Sequence, residues 1–261
     1  MGEDRLRGRA ALVTGGGRGL GAAICELLGE SGARIAVADL NADAAGELAE
    51  RLVQREIEAF PLALDVGDET QVAAAVETVC ARFGGIDIVV NNAGTDVTKP
   101  IGELGGDEWQ RVVSTNLTGP FLMTKHAVAS MLAARSDGRT VRGHVVNIAS
   151  TASKRAWPNA SAYHASKWGL LGMSHALHAE LRPLGIKVSA IVAGGMRTPF
   201  LLDRFPDIDP GVLQDPVHVA RGVRGGDVPD GSTRVAGHQS QATIPASESD
   251  RTKSDRRILR Q

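Results

Sequence analysis

The sequence has 261 residues, of which 43% are hydrophobic, and this length and composition allow a single domain with a sizeable core. Its formal net charge of −1 gives no reason to expect a nucleic-acid partner or an anionic membrane surface. The sequence shows no N-terminal signal pattern and no run of about 18 apolar residues that could span a membrane. Cys25 and Cys80 lie in amphipathic helical patterns, where buried free thiols are expected. These features predict a soluble, cytoplasmic protein.

Six short apolar runs predict strands, and the segments between them have helical periodicity. The predicted strands cover residues 9–14, 34–39, 58–64, 86–92, 143–150 and 186–192. The predicted helices cover residues 19–31, 41–56, 68–83, 107–134 and 161–183, with a break near Pro120 in the fourth. Strands rich in Val, Ile and Ala that alternate with helices are typical of a parallel sheet covered on both faces. The sequence therefore predicts an α/β fold in one domain, a Rossmann-type doubly wound parallel sheet with strand order 3-2-1-4-5-6.

The C-terminal part of the chain breaks this alternation. Residues 222–261 contain no aromatic residue and no apolar run long enough for a core strand. Segments that are too polar to offset the entropy of ordering remain disordered. We therefore predict a folded domain over residues 1–220 and an atypical, disordered polar tail over residues 221–261, with no seventh strand after Val219.

A glycine-rich turn, TGGGRGLG, joins the first predicted strand to the first predicted helix. Glycine lets the backbone adopt conformations closed to other residues and lets it approach a ligand closely. The N-terminus of the helix that follows offers unpaired N–H groups and the positive end of the helix dipole. Gly15, Gly19 and Gly21 have the spacing G-x-x-x-G-x-G, so this turn is predicted to bind a pyrophosphate.

Asp39 ends the second predicted strand, twenty residues after Gly19. A carboxylate at this position can accept hydrogen bonds from the adenosine ribose hydroxyls and would repel a 2′-phosphate. The cofactor is therefore expected to be NAD rather than NADP. Arg18 leaves NADP open as the alternative, because a cation in the turn could hold a 2′-phosphate. Asp39 could instead simply cap the next helix.

Tyr163 is the only tyrosine in the chain, and Lys167 follows it by four residues in a predicted helix. Residues at i and i+4 share one helix face, so the two side chains can project together. A free phenol titrates near about 10, and a nearby ammonium lowers its pKa, which makes the phenol usable in acid–base catalysis. Ser150 ends the fifth predicted strand, at the sheet edge where such folds bind ligands. The alternative is a solvated Tyr–Lys pair on the helix surface.

The order and spacing of these motifs resemble those of the short-chain dehydrogenases/reductases, from about Arg9 to about Val219. The motifs that carry the resemblance are TGGGRGLG at 14–21, DV at 65–66, NNAG at 91–94, Asn116 in NLTG, Ser150 in VVNIAS, YHASK at 163–167 and GGMRTP at 194–199.

This resemblance implies a catalytic set and a cofactor site. The catalytic set is Asn116, Ser150, Tyr163 and Lys167, in which Lys167 also binds the nicotinamide ribose and Asn116 holds a water that relays protons. Thr198 would contact the nicotinamide carboxamide. The implied cofactor contacts are Gly15, Arg18, Gly19, Leu20, Gly21, Asp39, Asp65, Val66, Asn92, Ala93, Gly94, Tyr163, Lys167 and Thr198.

The expected activity is an NAD(H)-dependent interconversion of a secondary alcohol and a ketone. Hydride moves to or from the nicotinamide C4 while Tyr163 removes or donates the hydroxyl proton. The segments 94–106, 151–160 and 199–216 are expected to line the substrate pocket, and they leave open a sterol-like ring, a sugar, a polyketide or a hydroxy acid. One alternative is a nucleotide-binding protein whose atypical tail impairs turnover, and another is a lyase or epimerase on the same scaffold.

The expected partners are a small-molecule alcohol or ketone and a second copy of the chain. A homodimer could form through the helices at 107–134 and 161–183, with a homotetramer as the alternative. Neither nucleic acid nor a membrane is expected. No metal is expected either, because His175 and His178 have no third ligand placed beside them.

Overall fold

The computed structural model describes residues 6–136, 143–225 and 236–237, and a parallel sheet organises them. Its strands are β1 (Ala10–Thr14), β2 (Arg34–Asp39), β3 (Ala59–Ala63), β4 (Ile88–Asn91), β5 (Gly143–Ser150), β6 (Ile186–Ala193) and β7 (Ala236–Gly237). The strand order is β3-β2-β1-β4-β5-β6-β7, and every adjacent pair is parallel. The predicted order 3-2-1-4-5-6 is therefore confirmed.

Helices connect these strands and cover the sheet. They are α1 (Gly19–Glu30), α2 (Ala42–Gln54), α3 (Glu69–Phe83), α4 (Gly106–Val113), α5 (Gly119–Ser136), α6 (Ser161–Leu181), α7 (Pro199–Leu202) and α8 (Pro216–Gly225). The predicted helix at 107–134 is two helices, α4 and α5, joined by a π-helical turn at Ser114–Thr118. This π-helical turn lies just before Pro120. Proline has no N–H to donate and is therefore tolerated only in the first turn of a helix, here that of α5.

Alternating residues of β1 show how the two cores form. Ala11 and Val13 pack in a cluster with residues of α1, α2 and α8. Ala10 and Leu12 point the other way, into a cluster with residues of α3, α5 and the end of α6. Successive side chains of a strand face opposite sides of a sheet, so β1 is buried on both faces. The doubly wound arrangement follows from this two-sided burial.

The strand register brings the predicted site residues to one edge of the sheet. Thr14 at the end of β1 pairs with Ala38, and Ser150 at the end of β5 pairs with Ala193. The carboxyl ends of the parallel strands therefore lie together. The strand order reverses between β1 and β4, and ligands of open α/β sheets bind at such a switch point.

The C-terminal part of the chain departs from the prediction in two places. Helix α8 includes residues 221–225, and its Val219, Ala220 and Val223 are buried in the core. Strand β7 pairs with β6 at Ile191 and Val192, so the expectation of no seventh strand is wrong. A two-residue strand is held by main-chain groups and leaves no apolar pattern in the sequence. The predicted disorder of residues 226–235 and 238–261 lies outside the described residues.

Two further expectations concern membranes and thiols. Among the residues that the structure describes, no helix is long and apolar enough to cross a membrane. Cys25 and Cys80 are free thiols, as expected, and burial strongly raises the pKa of Cys25.

Candidate active site

The glycine-rich turn between β1 and α1 requires its glycines. Gly15 and Gly19 have φ values of 60° and 57°, in the left-handed region that side chains disfavour. A Cβ on Gly21 would lie 1.9 Å from the carbonyl oxygen of Gly15. No side chain caps the start of α1, where Arg18 is the N-cap residue. The N–H groups of this helix start are therefore available to an anion.

Asn92 and Thr14 hold the glycine-rich turn against the end of β4. The Asn92 Nδ2 donates to the carbonyl oxygens of Thr14 and Gly15, at 3.0 and 2.9 Å. The Thr14 Oγ1 accepts from the backbone N–H groups of Asn92 and Ala93, at 3.1 Å each. Asn92, predicted as a cofactor contact, thus uses its side-chain amide to shape the turn. Thr14 was missed, although its place directly before Gly15 could have indicated it.

Asp39 lies beside the same turn, at the end of β2. Its Oδ2 accepts from the Gly17 N–H at 2.9 Å, and its Oδ1 accepts from the Asn41 N–H at 3.0 Å. The helix cap of α2 is Asn41, whose side chain accepts from the Ala44 N–H at 3.0 Å. The carboxylate of Asp39 is therefore fixed next to the glycines, while the Arg18 side chain is exposed.

The other predicted cofactor residues lie around this edge in different environments. Thr198 is buried, and its Cβ would lie 3.4 Å from a Cβ on Gly19, so the segment after β6 meets the turn directly. Asp65 is exposed and accepts from the Gly67 N–H at 2.8 Å. Val66 is buried beside Gly119, where a Cβ would approach its Cγ2 to 2.7 Å. Leu20 is also buried.

Lys167 projects from α6 toward the ends of β4 and β5. Its Nζ donates to the Ile148 carbonyl oxygen at 2.8 Å and lies 5.7 Å from the centroid of the Tyr163 ring. A Cβ on Gly94 would be 3.8 Å from this Nζ and 3.5 Å from the Oδ1 of Asn116. Gly94 therefore leaves the space in which the lysine and the asparagine face each other. Burial lowers the pKa of Lys167 to about 8.

Asn116 sits fully buried in the π-helical turn between α4 and α5. Its Oδ1 accepts from the Thr95 N–H, and its Nδ2 donates to the Thr95 carbonyl oxygen, both at 2.8 Å. The Nδ2 also donates to the Ser166 Oγ at 3.1 Å, and that hydroxyl donates to the Tyr163 carbonyl oxygen at 2.8 Å. Ser166 was missed, although its position directly before Lys167 could have indicated it.

Ser150 and Tyr163 bring two hydroxyl groups to the same place. The Ser150 Oγ accepts from the Ala152 N–H at 3.2 Å, which fixes it at the end of β5. Burial raises the pKa of Tyr163 to about 12, hydrogen bonding with the Ser150 hydroxyl acts in the opposite direction, and the charge of Asp96 raises it further.

The pKa of Tyr163 in the polypeptide on its own is therefore raised, whereas a lowered value was expected. The Lys167 ammonium lies over the phenol ring and donates to the Ile148 carbonyl oxygen. Desolvation of the phenol outweighs its stabilising contacts. The four-residue spacing correctly predicted that the two side chains lie together, but it gave no information about how completely the site excludes water.

The comparison with known proteins decides what this site belongs to. Residues 9–209 match the family model described as short chain dehydrogenase. The chain belongs to the short-chain dehydrogenase family. The resemblance inferred from the motifs is thereby confirmed, and the carboxyl edge of the sheet in this chain carries the Ser, Tyr and Lys motif residues together.

Relatives of this chain include two proteins named as dehydrogenases and a solved complex. A D-threitol dehydrogenase of Mycolicibacterium smegmatis is 42% identical over 189 residues, covering 72% of this chain and 70% of that protein. A 2-dehydro-3-deoxy-L-rhamnonate dehydrogenase (NAD(+)) of a Sphingomonas species is 37% identical over 219 residues, 83% of each chain. A metagenomic short-chain oxidoreductase in complex with NADP has a TM-score of 0.75 at 31% identity, covering 88% of this chain and 95% of that chain.

The remaining site expectation concerns metals. Within residues 6–136 and 143–225, no group of three or more His, Cys, Asp or Glu side chains could hold a metal ion.

Proposed function

We propose that this protein interconverts a secondary alcohol and a ketone with NAD(H), using Tyr163 as the general acid and base. The observation that carries the proposal is the grouping of the Tyr163 phenol, the Ser150 hydroxyl and the buried Lys167 ammonium at the carboxyl edge of the sheet, the edge that also carries the glycine-rich turn. The catalytic set would be completed by Asn116, and the whole site would belong to one domain that continues past residue 220 to the end of α8.

The glycine-rich turn supports the binding of a dinucleotide. Its backbone has no room for side chains at Gly15 and Gly21, and no side chain caps the helix that follows. A pyrophosphate can therefore meet the N–H groups directly. Thr198 lies across from Gly19 and would hold the nicotinamide end. When bound, the dinucleotide supplies the hydride acceptor or donor.

Asp39 supports NAD over NADP. Its carboxylate is fixed beside the turn by the Gly17 and Asn41 N–H groups, and its negative charge would repel a 2′-phosphate. The Sphingomonas relative is named for NAD(+), which agrees with this preference. The NADP complex of the metagenomic relative and the exposed Arg18 support the alternative.

The proton chemistry of the proposal follows from three side chains. In oxidation the Tyr163 phenolate takes the hydroxyl proton of the substrate, and in reduction the phenol returns it. The Ser150 hydroxyl donates a hydrogen bond to the substrate oxygen and steadies its negative charge. Because the pKa of Lys167 is lowered to about 8, its side chain can release and regain a proton near neutral pH. That proton can be exchanged with the Tyr163 phenol.

Asn116 would support the proton path and the shape of the site. Its Oδ1 accepts one hydrogen bond, from Thr95, so a second lone pair is open to a water beside Lys167. Its Nδ2 ties the loop after β4 to α6 through Ser166. Loss of this side chain would therefore disturb both the proton relay and the position of Tyr163.

A homodimer through α4, α5 and α6 is part of the proposal, with a homotetramer as the alternative. Trp109, Phe121 and Trp168 on these helices are 37%, 48% and 55% exposed, and exposed aromatic groups of this kind favour association. Light scattering on the intact chain checks this: Trp168→Glu should give a monomer. Val53→Glu, an equally exposed position on α2, should leave the assembly unchanged.

A panel of secondary alcohols and ketones, assayed with NAD(H) and NADP(H), tests the proposed reaction. NADH formation or consumption with at least one substrate, faster than with NADP(H), is expected. Dinucleotide binding without turnover of any substrate would instead indicate a nucleotide-binding protein. Product formation without a change in NAD(P)H absorbance would indicate a lyase or an epimerase.

A further inference from the structure

Asp96 carries an unsatisfied hydrogen-bond acceptor near the proposed reaction centre. Its Oδ2 accepts from the Thr98 Oγ1 at 3.2 Å, whereas its Oδ1 is buried and has no hydrogen-bond partner. A buried polar atom without a partner costs free energy, because it has lost water and gained nothing in exchange. The carboxylate therefore has an unused capacity to accept a hydrogen bond.

The loop that carries Asp96 is fixed on both sides against the site. Thr95, the preceding residue, is bonded to Asn116 through both its N–H and its carbonyl oxygen. The Lys99 N–H donates to the Asn159 carbonyl oxygen at 2.8 Å, which ties the other end to the segment before α6. The backbone on either side of Asp96 is thus fixed, by Asn116 at one end and by the segment before α6 at the other.

The Asp96 carboxylate is within electrostatic reach of the Tyr163 phenol. Its negative charge is one cause of the raised pKa of Tyr163. Burial raises the pKa of Asp96 itself, while Arg204, Thr98, the backbone and His164 act in the opposite direction. The charges of Asp96 and Arg204 therefore both act on the Tyr163 phenol.

Arg204 is positioned by Phe200, whose ring lies near that of Tyr163. Its guanidinium lies 4.0 Å from the centroid of the Phe200 ring, and its Nη1 donates to the Phe200 carbonyl oxygen at 2.8 Å. The Phe200 ring is 6.1 Å from the Tyr163 ring. The guanidinium does not bond the Oδ1 of Asp96, since that atom has no partner. A negative and a positive group thus face the phenol without satisfying each other.

We propose that Asp96 accepts a hydrogen bond from a second hydroxyl group of the substrate, next to the carbon that is oxidised, so that the enzyme prefers vicinal diols and short polyols. This inference rests on the proposed function and names its substrate class. The hydroxyl supplies the donor that Oδ1 lacks and can accept from Arg204 in turn. In the reverse direction the corresponding substrates are α-hydroxy ketones.

A small movement gives the substrate access to the buried oxygen. The terminal torsion of aspartate is broad, so a partial rotation about Cβ–Cγ can turn this oxygen toward a bound hydroxyl at little cost. A monohydric alcohol brings no donor and leaves the carboxylate unsatisfied. A substrate with its own carboxylate next to the reacting carbon would be repelled by Asp96. An apolar ring would bury the charged group without compensation.

Matched substrate pairs test the inference with the full-length protein. The ratio of kcat/KM for 2,3-butanediol to that for 2-butanol measures the contribution of the second hydroxyl. A hydrogen bond to a charged group corresponds to a preference of about 10- to 150-fold for the diol. Acetoin and 2-butanone give the same comparison in the direction of reduction.

Two variants separate Asp96 from general effects on the pocket. Asp96→Ala removes the acceptor and should bring the diol-to-alcohol ratio close to one. Glu50→Gln neutralises an exposed carboxylate on α2, outside the segments expected to line the pocket, and should leave the ratio at its original value. Thermal unfolding of both variants verifies that they are folded, and Asp96→Ala should not be destabilised because it loses an unsatisfied buried group.

The outcomes distinguish this inference from the proposed function. A ratio near one in the original protein, or a ratio unchanged by Asp96→Ala, would overturn the diol preference while alcohol oxidation stands. Failure of every alcohol, with diols included, would overturn the proposed function and the inference together.

Discussion

The ammonium group of Lys167 lies over the ring of Tyr163, 5.7 Å from its centroid. Burial raises the pKa of the phenol to about 12 and lowers that of the ammonium to about 8. Both shifts favour the neutral form of the group concerned, as desolvation requires. Charges interact strongly in a site that excludes water, so the pKa values of Tyr163 and Lys167 can change with the charge of a bound ligand.

Tyr163→Phe should reduce kcat for alcohol oxidation by about 10²- to 10⁴-fold, because it removes the group that takes the proton. Dinucleotide affinity, measured by calorimetry, should change only a few-fold. In the unsubstituted enzyme the oxidation rate should rise with pH, since the raised pKa of the phenol leaves little phenolate at neutral pH. A variant with near-full turnover would remove Tyr163 from the mechanism.

Lys167→Met should change how stability depends on pH. Burial lowers the pKa of Lys167 to about 8 in the folded chain, against 10.5 for a lysine in water. Between these values the unfolded chain binds more protons, so the stability contributed at Lys167 is present above pH 10.5 and is lost as pH falls through 8. The free energy of unfolding of the original protein, relative to that of Lys167→Met, should therefore rise by on the order of 3 kcal/mol between neutral pH and pH 10.5.

Denaturant unfolding at several pH values measures this difference. The same substitution at Lys154, an exposed lysine, removes an ammonium that is already in water and serves as the control. A difference between the original protein and Lys167→Met that is independent of pH would contradict the desolvation of the lysine. Turnover by Lys167→Met should also be strongly reduced.

Asp39→Asn should shift the cofactor preference toward NADP(H). The substitution removes the charge that repels a 2′-phosphate but keeps an oxygen that can accept from the Gly17 N–H. The ratio of kcat/KM for NADP⁺ to that for NAD⁺ should rise about tenfold, as expected for removal of one partly screened like charge. An unchanged ratio would show that Asp39 does not face the ribose.

Two glycine substitutions should have opposite effects. Gly21→Ala places a Cβ 1.9 Å from the Gly15 carbonyl oxygen, so the turn must move. We expect a loss of at least about 2–3 kcal/mol in the free energy of unfolding and weaker dinucleotide binding. Gly46→Ala, in the interior of α2 with open space around it, should stabilise the protein by about 0.5–1 kcal/mol. Urea unfolding compares the two, and equal effects would contradict the close packing of the turn.

Local features of the sequence predicted the sheet and much of the site. The strand at 34–39 and the strand at 143–150 have the predicted bounds, because a buried strand shows as an apolar run. The pairing of Tyr163 with Lys167 follows from the four-residue spacing in a helix. Nonlocal contacts escaped prediction, such as the bonding of Asn116 to Thr95 across the π-helical turn.

The sequence by itself determined the order of the strands, the glycine-rich turn and the family, since these depend on periodicity and on the spacing of motifs. Only the tertiary structure decided the direction of the pKa shifts, the partners of Asn92 and Asn116, the pairing of β7 with β6, and the unsatisfied oxygen of Asp96. These properties depend on which groups lose water and which distant groups replace it, and that is settled only when separate elements pack together.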